Sequence, residues 1–378
     1  MRATGMNRQA DSRVADTWQS PLEAPRQIPD AADVVIIGGG IVGVSTAWFL
    51  ARKGIRVALC EKGHIAGEQS GRNWGWVRVQ GRDTREIPMM LESLRIWDGF
   101  REELGEDVGF TRGGCAFTAG TDDQLEELHG WLPVAEEYGI DSRILSASEM
   151  GRIADGAAVR WAGALYTESD GRAEPQTAAP AIARAAARAG ATTLTGCAAR
   201  GVETRAGRVS AVVTEHGRIE TGTVLRAAGA WTSIFCRSLG IDVPQLRVRG
   251  TVARTAPADN IVNGNIFDDR LGMRRRKDGG YTIGHGSVLD HPVTPESFRY
   301  FFKFLPALKQ EFKIVRLSFG RDAHRRELGR HDRIIAGHCT DHRRRRQPAG
   351  LSHRHRLQRS RLRPGAGRGQ GNRRYADR

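Results

Sequence analysis

The chain has 378 residues, 39% of them hydrophobic, with a formal net charge of +15. That length allows two or three domains, and the charge is local, because seventeen Arg against four acidic residues lie beyond Asp322. The rest is nearly neutral, no apolar run is long enough to span a membrane, and five cysteines without a C-x-x-C exclude a disulfide framework or zinc pattern and fit a reducing cytoplasm.

Residues 1–32 are mostly polar and read as a flexible arm with no signal peptide. Val34 to Ile37 then form an apolar, β-branched run suited to a buried parallel strand. Glycines follow, and helical spacing runs from Val42 to Lys53, with Gly54 as the stop. "IRVALCE" is a second strand, which completes a mononucleotide-binding β-α-β unit. The pattern predicts a helix over Ile87–Leu104, another over 122–139, and an Ala-rich helix that starts near Pro175 and stops at Gly190. Turns at Gly207 and Gly217 predict a β-meander. A strand is expected over Gln245–Ala256, a hairpin over Gly272–Ile283 folded at "KDGG", and a last helix over 295–312. Beyond Asp322 the periodicity stops, and the Arg-rich residues 323–378 cannot bury enough apolar surface to offset their ordering entropy.

Gly38, Gly40 and Gly43 fit G-x-G-x-x-G between a strand and a helix. The first permits the tight turn, the second lets a pyrophosphate approach the backbone, and the third lets helix and strand pack closely. The helix N-terminus then meets the phosphates. Glu61 ends the next strand, eighteen residues after Gly43, where a carboxylate can accept both ribose hydroxyls. Gly39, Ile41, Val42 and Lys62 belong to the same candidate dinucleotide site. The unit does not choose between NAD and FAD.

Four segments, in order, carry a resemblance: "DVVIIGGGIVGVSTAWFLARKGIRVALCEKG", "SGRNWGWVR", "DGRAEPQTAAPAIARAAARAGA" and "VLRAAGAWTS". Together they resemble the D-amino-acid oxidase/glycine oxidase (DAO) family of FAD-dependent oxidoreductases over roughly Asp33–Asp322. The resemblance implies FAD as cofactor. It implies further contacts from Ser70, Arg72, Asn73, Trp74 and Gly75, from Ala228, Gly229 and Trp231, and from the backbone of Val202. Trp74, Trp76 and Trp231 are also readable as core aromatics, and Arg72 and Arg78 equally as surface charges. Arg274, Arg275 and Arg276 alternate along a strand. Trp76 with Arg274 or Arg276 is a candidate substrate contact, against the plainer reading of a solvated strand, and His285 reads as structural. No catalytic residue is identified, and no metal-ligand pattern stands out.

The resemblance implies an α/β fold of two domains and a disordered tail. A discontinuous FAD-binding, Rossmann-like domain would take residues 33–95 and 161–240. A substrate domain with a mixed or antiparallel sheet would take 96–160 and 241–322. The implied reaction is oxidation of the C–N bond of a small amino acid or secondary amine by hydride transfer to the flavin, with an acceptor that residues do not reveal. The other reading is a non-catalytic basic protein that binds nucleic acid through its tail. The tail lacks aromatic interleaving and Arg-Gly-Gly repeats, so nucleic acid is not the expected partner.

The family closes with a Gly-Phe-Ser-Gly-His-Gly-Phe turn that opens a last helix, and this frame has none. Back-translation of Arg356–Arg363 as CGG CTT CAG CGG TCA CGG CTT CGG, read one base later, yields that heptapeptide. Shifted readings of "ELGRHDR" and "QGNRRYAD" are family-like as well. The tail therefore reads as out of frame, with the change between the codons for Lys313 and Glu327. The expected consequences are weak FAD binding, little turnover and a sheet edge left unpaired by the missing closing strand.

Overall fold

A computed structural model describes residues 27–154, 157, 159–255, 257, 262–267, 271–284, 291–292 and 333–341. In chain order the first elements are β1 (Val34–Ile37), α1 (Ile41–Ala51), β2 (Val57–Cys60), α2 (Gln69–Arg72), β3 (Trp76–Val77), α3 (Ile87–Leu104), β4 (Thr111–Arg112) and β5 (Cys115–Ala119). Then come α4 (Asp122–His129), α5 (Leu132–Glu137), β6 (Ser142–Ser146), α6 (Ala147–Ile153), β7 (Gly163–Thr167), β8 (Gly171–Arg172), α7 (Pro175–Arg188) and β9 (Thr192–Leu194). The rest are β10 (Ala199–Arg205), β11 (Arg208–Thr214), β12 (Gly217–Glu220), β13 (Val224–Arg226), α8 (Thr232–Arg237), β14 (Leu246–Arg254), β15 (Asn265–Phe267), β16 (Gly272–Arg275), β17 (Tyr281–Gly284), β18 (His291–Pro292) and β19 (Arg333–Asp341).

The first sheet is parallel, in the order β13-β1-β2-β9. Both faces of β1 are covered, which is why its sequence is continuously apolar. Ile36 packs with Val44, Trp48 and Ile182 of α1 and α7. Val35 and Ile37 pack on the opposite face with Val212 and Ile219 of the β10-β11-β12 meander. Alanines 178, 179, 181 and 183 are all buried on α7, which lets it lie close against α1.

The large sheet runs β18-β14-β17-β16-β15-β5-β7-β6, with β19 also on β14. It is antiparallel except at β15–β5. Leu165 packs with α3 and α5 residues such as Leu94 and Ala135, while Ala164 lies with Met150 of α6 and Met273. A small antiparallel sheet, β3-β8-β4, links the two systems.

The helix expected over 122–139 is broken at Gly130–Trp131, because Pro133, at the start of α5, has no N–H to continue the ladder. Within 323–378, expected to lack structure throughout, Arg333–Asp341 form β19, paired with all nine residues of β14. Strand β7 pairs with β5 and β6 of the large sheet, although its residues fall in the 161–240 stretch assigned to the cofactor domain. The helix expected over 295–312 and His285 lie outside the described residues.

Candidate functional site

The turn after β1 divides its glycines into two kinds. Gly38 has φ +114°, its N–H donates to the Cys60 carbonyl at 2.8 Å, and a Cβ there would sit 2.4 Å from the Ala227 carbonyl oxygen. At Gly43 a Cβ would lie 1.9 Å from the Gly38 carbonyl oxygen. Those two positions are bare for the protein's own packing. A Cβ on Gly40 would meet only the Ser70 hydroxyl, at 3.1 Å. Packing alone does not demand glycine there, so Gly40 is the open part of the cradle. Helix α1 begins beside it with no acidic residue in its first turn, and the Ile41 N–H donates to Ser70 Oγ at 2.9 Å. Ser70 is thus brought to the helix N-terminus, where an anion is favoured.

Glu61 is buried, and both carboxylate oxygens hold the turn. Oε2 accepts from Gly39 N–H at 2.7 Å and Oε1 from Gly63 N–H at 2.8 Å. Each oxygen keeps a second lone pair for a ribose hydroxyl. Lys62 lies 4.1 Å over the ring of Trp231 and pairs with Glu68, so two expected contacts meet at one end of the parallel sheet. Ala228 and Gly229 follow β13 there, where Ala227 N–H donates to the Ile37 carbonyl at 2.8 Å. Val202 lies on β10 opposite Val212 and packs against the cluster that holds Ile37 and Cys60. The chain passes Glu61 earlier, at Leu194 and Cys197, which bond its backbone at 2.8 and 2.9 Å.

The segment from Ser70 to Trp76 crosses from the turn to the large sheet. Arg72 is buried, and burial pulls its guanidinium pKa down against the opposing charge of Glu68. Asn73 folds its own loop: Nδ2 donates to the Ser70 carbonyl at 2.9 Å and Oδ1 accepts from Gly75 N–H at 2.6 Å. The Trp74 ring lies on Gly272 and Gly284, where added Cβ atoms would fall 1.7 and 2.6 Å from it. Trp74, Trp76 and Phe267 form an aromatic cluster, with Trp76 4.8 Å from Trp74 and 5.7 Å from Phe267.

Arg274 and Arg276 share the buried side of β16 and the turn that follows it, and each makes internal hydrogen bonds. Arg274, 1% exposed, holds Glu174 through Nη1 at 2.9 Å and Nη2 at 3.2 Å, and donates to the Trp74 carbonyl. Burial pushes the Glu174 carboxyl up, and the Arg274 hydrogen bonds and charge more than reverse this, so its pKa is lowered. Arg276 donates to the Thr255 carbonyl at 3.0 Å and pairs with Asp278.

Two acids escaped the sequence reading. One is Glu174, whose partner lies a hundred residues away. The other is Asp170, fully buried, which accepts from Val79 N–H at 2.7 Å and Gln80 N–H at 3.2 Å. Burial raises its pKa to about 6, opposed by those N–H groups and by Arg78. The "SDGR" turn that carries Asp170 gives no periodic signal of burial.

Residues 33–344 match the family described as DAO: FAD dependent oxidoreductase. Mitochondrial sarcosine dehydrogenase of Mus musculus is 30% identical over 293 residues, 75% of this chain and 32% of that protein. Glycine oxidase of Geobacillus kaustophilus is 28% identical over 293 residues, 70% of this chain and 71% of its own length. The solved L-amino acid deaminase from Proteus vulgaris is similar with a TM-score of 0.76 at 25% identity, covering 85% of this chain and 86% of its own. The chain spans about a third of the length of the mitochondrial sarcosine and dimethylglycine dehydrogenases it matches.

Proposed function

The chain belongs to the DAO family of FAD-dependent oxidoreductases, and on that premise we propose that it oxidises the C–N bond of a small amino acid or secondary amine. The observation that carries the reading is the cradle at Gly40. A bare glycine, the N-terminus of α1, the Ser70 hydroxyl and the buried Glu61 carboxylate are the donor and acceptor set that an adenine dinucleotide requires. FAD, when bound, supplies the hydride acceptor. The chain's own residues bind and orient. The α1 N-terminus and Ser70 hold the pyrophosphate, Glu61 holds the ribose, and Lys62 with Trp231 flanks them. The names of the relatives, which act on glycine, sarcosine and other amino acids, support a substrate with an amine beside a carboxylate.

Residues 33–95 and 161–240 act as the cofactor domain in this reading, and 96–160 with 241–322 as the substrate domain. The free cysteines 60, 115, 197 and 236 suit a cytoplasmic protein. Among the described residues no helix is long and apolar enough to cross a membrane. Turnover is low in this frame, which lacks the Gly-rich closing turn that the family resemblance calls for.

The test is Gly40→Ala. Its Cβ displaces only a hydroxyl in the protein but sits where a pyrophosphate must approach. Flavin content should collapse while the circular dichroism and the urea midpoint of the apoprotein hold. Full flavin content in a folded variant would overturn the assignment.

A further inference from the structure

We infer that Arg172, rather than Arg274 or Arg276, is the cation that receives the substrate carboxylate. This deepens the amine-oxidation reading and rests on it. Several cations around β16 are already compensated: Arg274 by Glu174, Arg276 by Asp278, and Lys277 by Asp107. Arg172 has no hydrogen-bond or ion-pair partner among the described residues, and it is half-buried. Burial and the neighbouring charges of Arg274 and Arg275 lower its pKa against the opposing charge of Glu174, and a carboxylate would relieve the remaining cost.

Its placement is built. Arg172 lies in the central strand of the small sheet, directly opposite Trp76 on one side and Thr111 on the other. Side chains opposite one another in a ladder share a face, so the guanidinium and the indole are neighbours. Trp76 Nε1 is a buried donor with no partner, and its ring contacts Phe267. The guanidinium passes over Gly113, where a Cβ would fall 2.6 Å from Nη1. Asn265 anchors the same corner by donating to the Gly114 and Gly171 carbonyls, both at 3.1 Å, while its Oδ1 is a buried acceptor without a partner. An α-amino acid has an anion for the two donors and an ammonium for the acceptor. The same corner joins the Trp74–Trp76 segment, which leads from the cofactor turn.

The experiment titrates the flavin-loaded chain with acetate, glycine and N-methylglycine, and with dimethylamine as the probe that lacks a carboxylate. Binding is read from tryptophan fluorescence and the flavin absorbance band. Arg172→Met should weaken the carboxylate probes about tenfold to a hundredfold, the loss of one charge-assisted contact, and leave dimethylamine unchanged. Gly113→Ala displaces the guanidinium without removing it and should act in the same direction, which keeps the test intact if Arg172→Met does not fold. Carboxylate affinity equal to wild type in both variants, or no carboxylate binding by the wild type, would overturn the assignment. Amine-dependent flavin reduction in the wild type is measured separately. If it fails in the wild type and also in the chain with its closing frame restored, while Arg172 still governs carboxylate binding, the reaction is wrong and the site is right.

Discussion

Glu61 has two tasks at one carboxylate, and substitutions can separate them. It satisfies the Gly39 and Gly63 N–H groups, so Glu61→Ala costs the turn about 1–3 kcal/mol for orphaned donors as well as the ribose contact. Glu61→Gln keeps an acceptor and isolates the charge. We expect FAD affinity to fall about ten- to a hundredfold in Glu61→Ala and less in Glu61→Gln, with the urea midpoint of the apoprotein lowered mainly in the alanine variant. An unchanged FAD dissociation constant in both would exclude the ribose role. Asp170 sets a second test. Its folded pKa, about 6, lies above the ordinary 3.8, so the folded state binds more protons than the unfolded state between those values. Its contribution to stability is therefore full at low pH, falls as pH rises from about 4 to about 6, and totals on the order of 2–3 kcal/mol. Glu106, Asp107 and Glu174, whose pKa values are lowered, act in the opposite sense but below about pH 4.5. Urea midpoints between pH 4.5 and 6.5 should decline in the wild type and run flatter in Asp170→Asn. Parallel slopes would mean that the acid ionises normally.

At the scale of elements, one ion pair joins three of them. Glu174 immediately precedes α7, Arg274 lies on β16, and the Trp74 carbonyl belongs to the loop between α2 and β3. Arg274→Met leaves a buried carboxylate without its counter-charge, which should cost about 3–5 kcal/mol. Adding Glu174→Gln should return part of that. A double variant no more stable than the single one in urea would show that the pair is incidental. This junction also explains what could be read in advance. The β1-α1-β2 unit was legible because its signals are local: an apolar run, then glycines, then helical spacing. The ends of α3 at Ile87 and Leu104 and the β16–β17 hairpin were legible for the same reason. The fate of Arg274 was not, since alternation along a strand shows which side a residue faces but not that an acid a hundred positions earlier awaits it. Arg172 was hidden likewise, because β8 is two residues long and its neighbours come from residues 76, 111 and 113.

For the whole molecule the question is what the Arg-rich end costs. The altered frame implied an unpaired sheet edge, yet β19 covers β14 along its full length. The expected loss therefore narrows to the Gly-rich turn and the helix behind it. A helix N-terminus there would place positive potential where negative charge develops during amine oxidation, and without it that charge is less stabilised. The cradle at Gly40 is built from residues far upstream, so weak FAD binding should survive while little turnover remains. Three chains decide this: the unaltered 378-residue chain, one with the frame restored before Glu327, and one with it restored only after Asp341. The unaltered chain should hold FAD weakly and be reduced slowly by glycine or N-methylglycine. The chain restored after Asp341 keeps β19 and regains the turn, and it should recover most of the rate if the turn is what matters. Recovery only in the chain restored before Glu327 would instead assign the defect to residues 327–341. Equal rates of amine-dependent flavin reduction in all three would show that the Arg-rich end does no harm, and the altered-frame reading would fall with it.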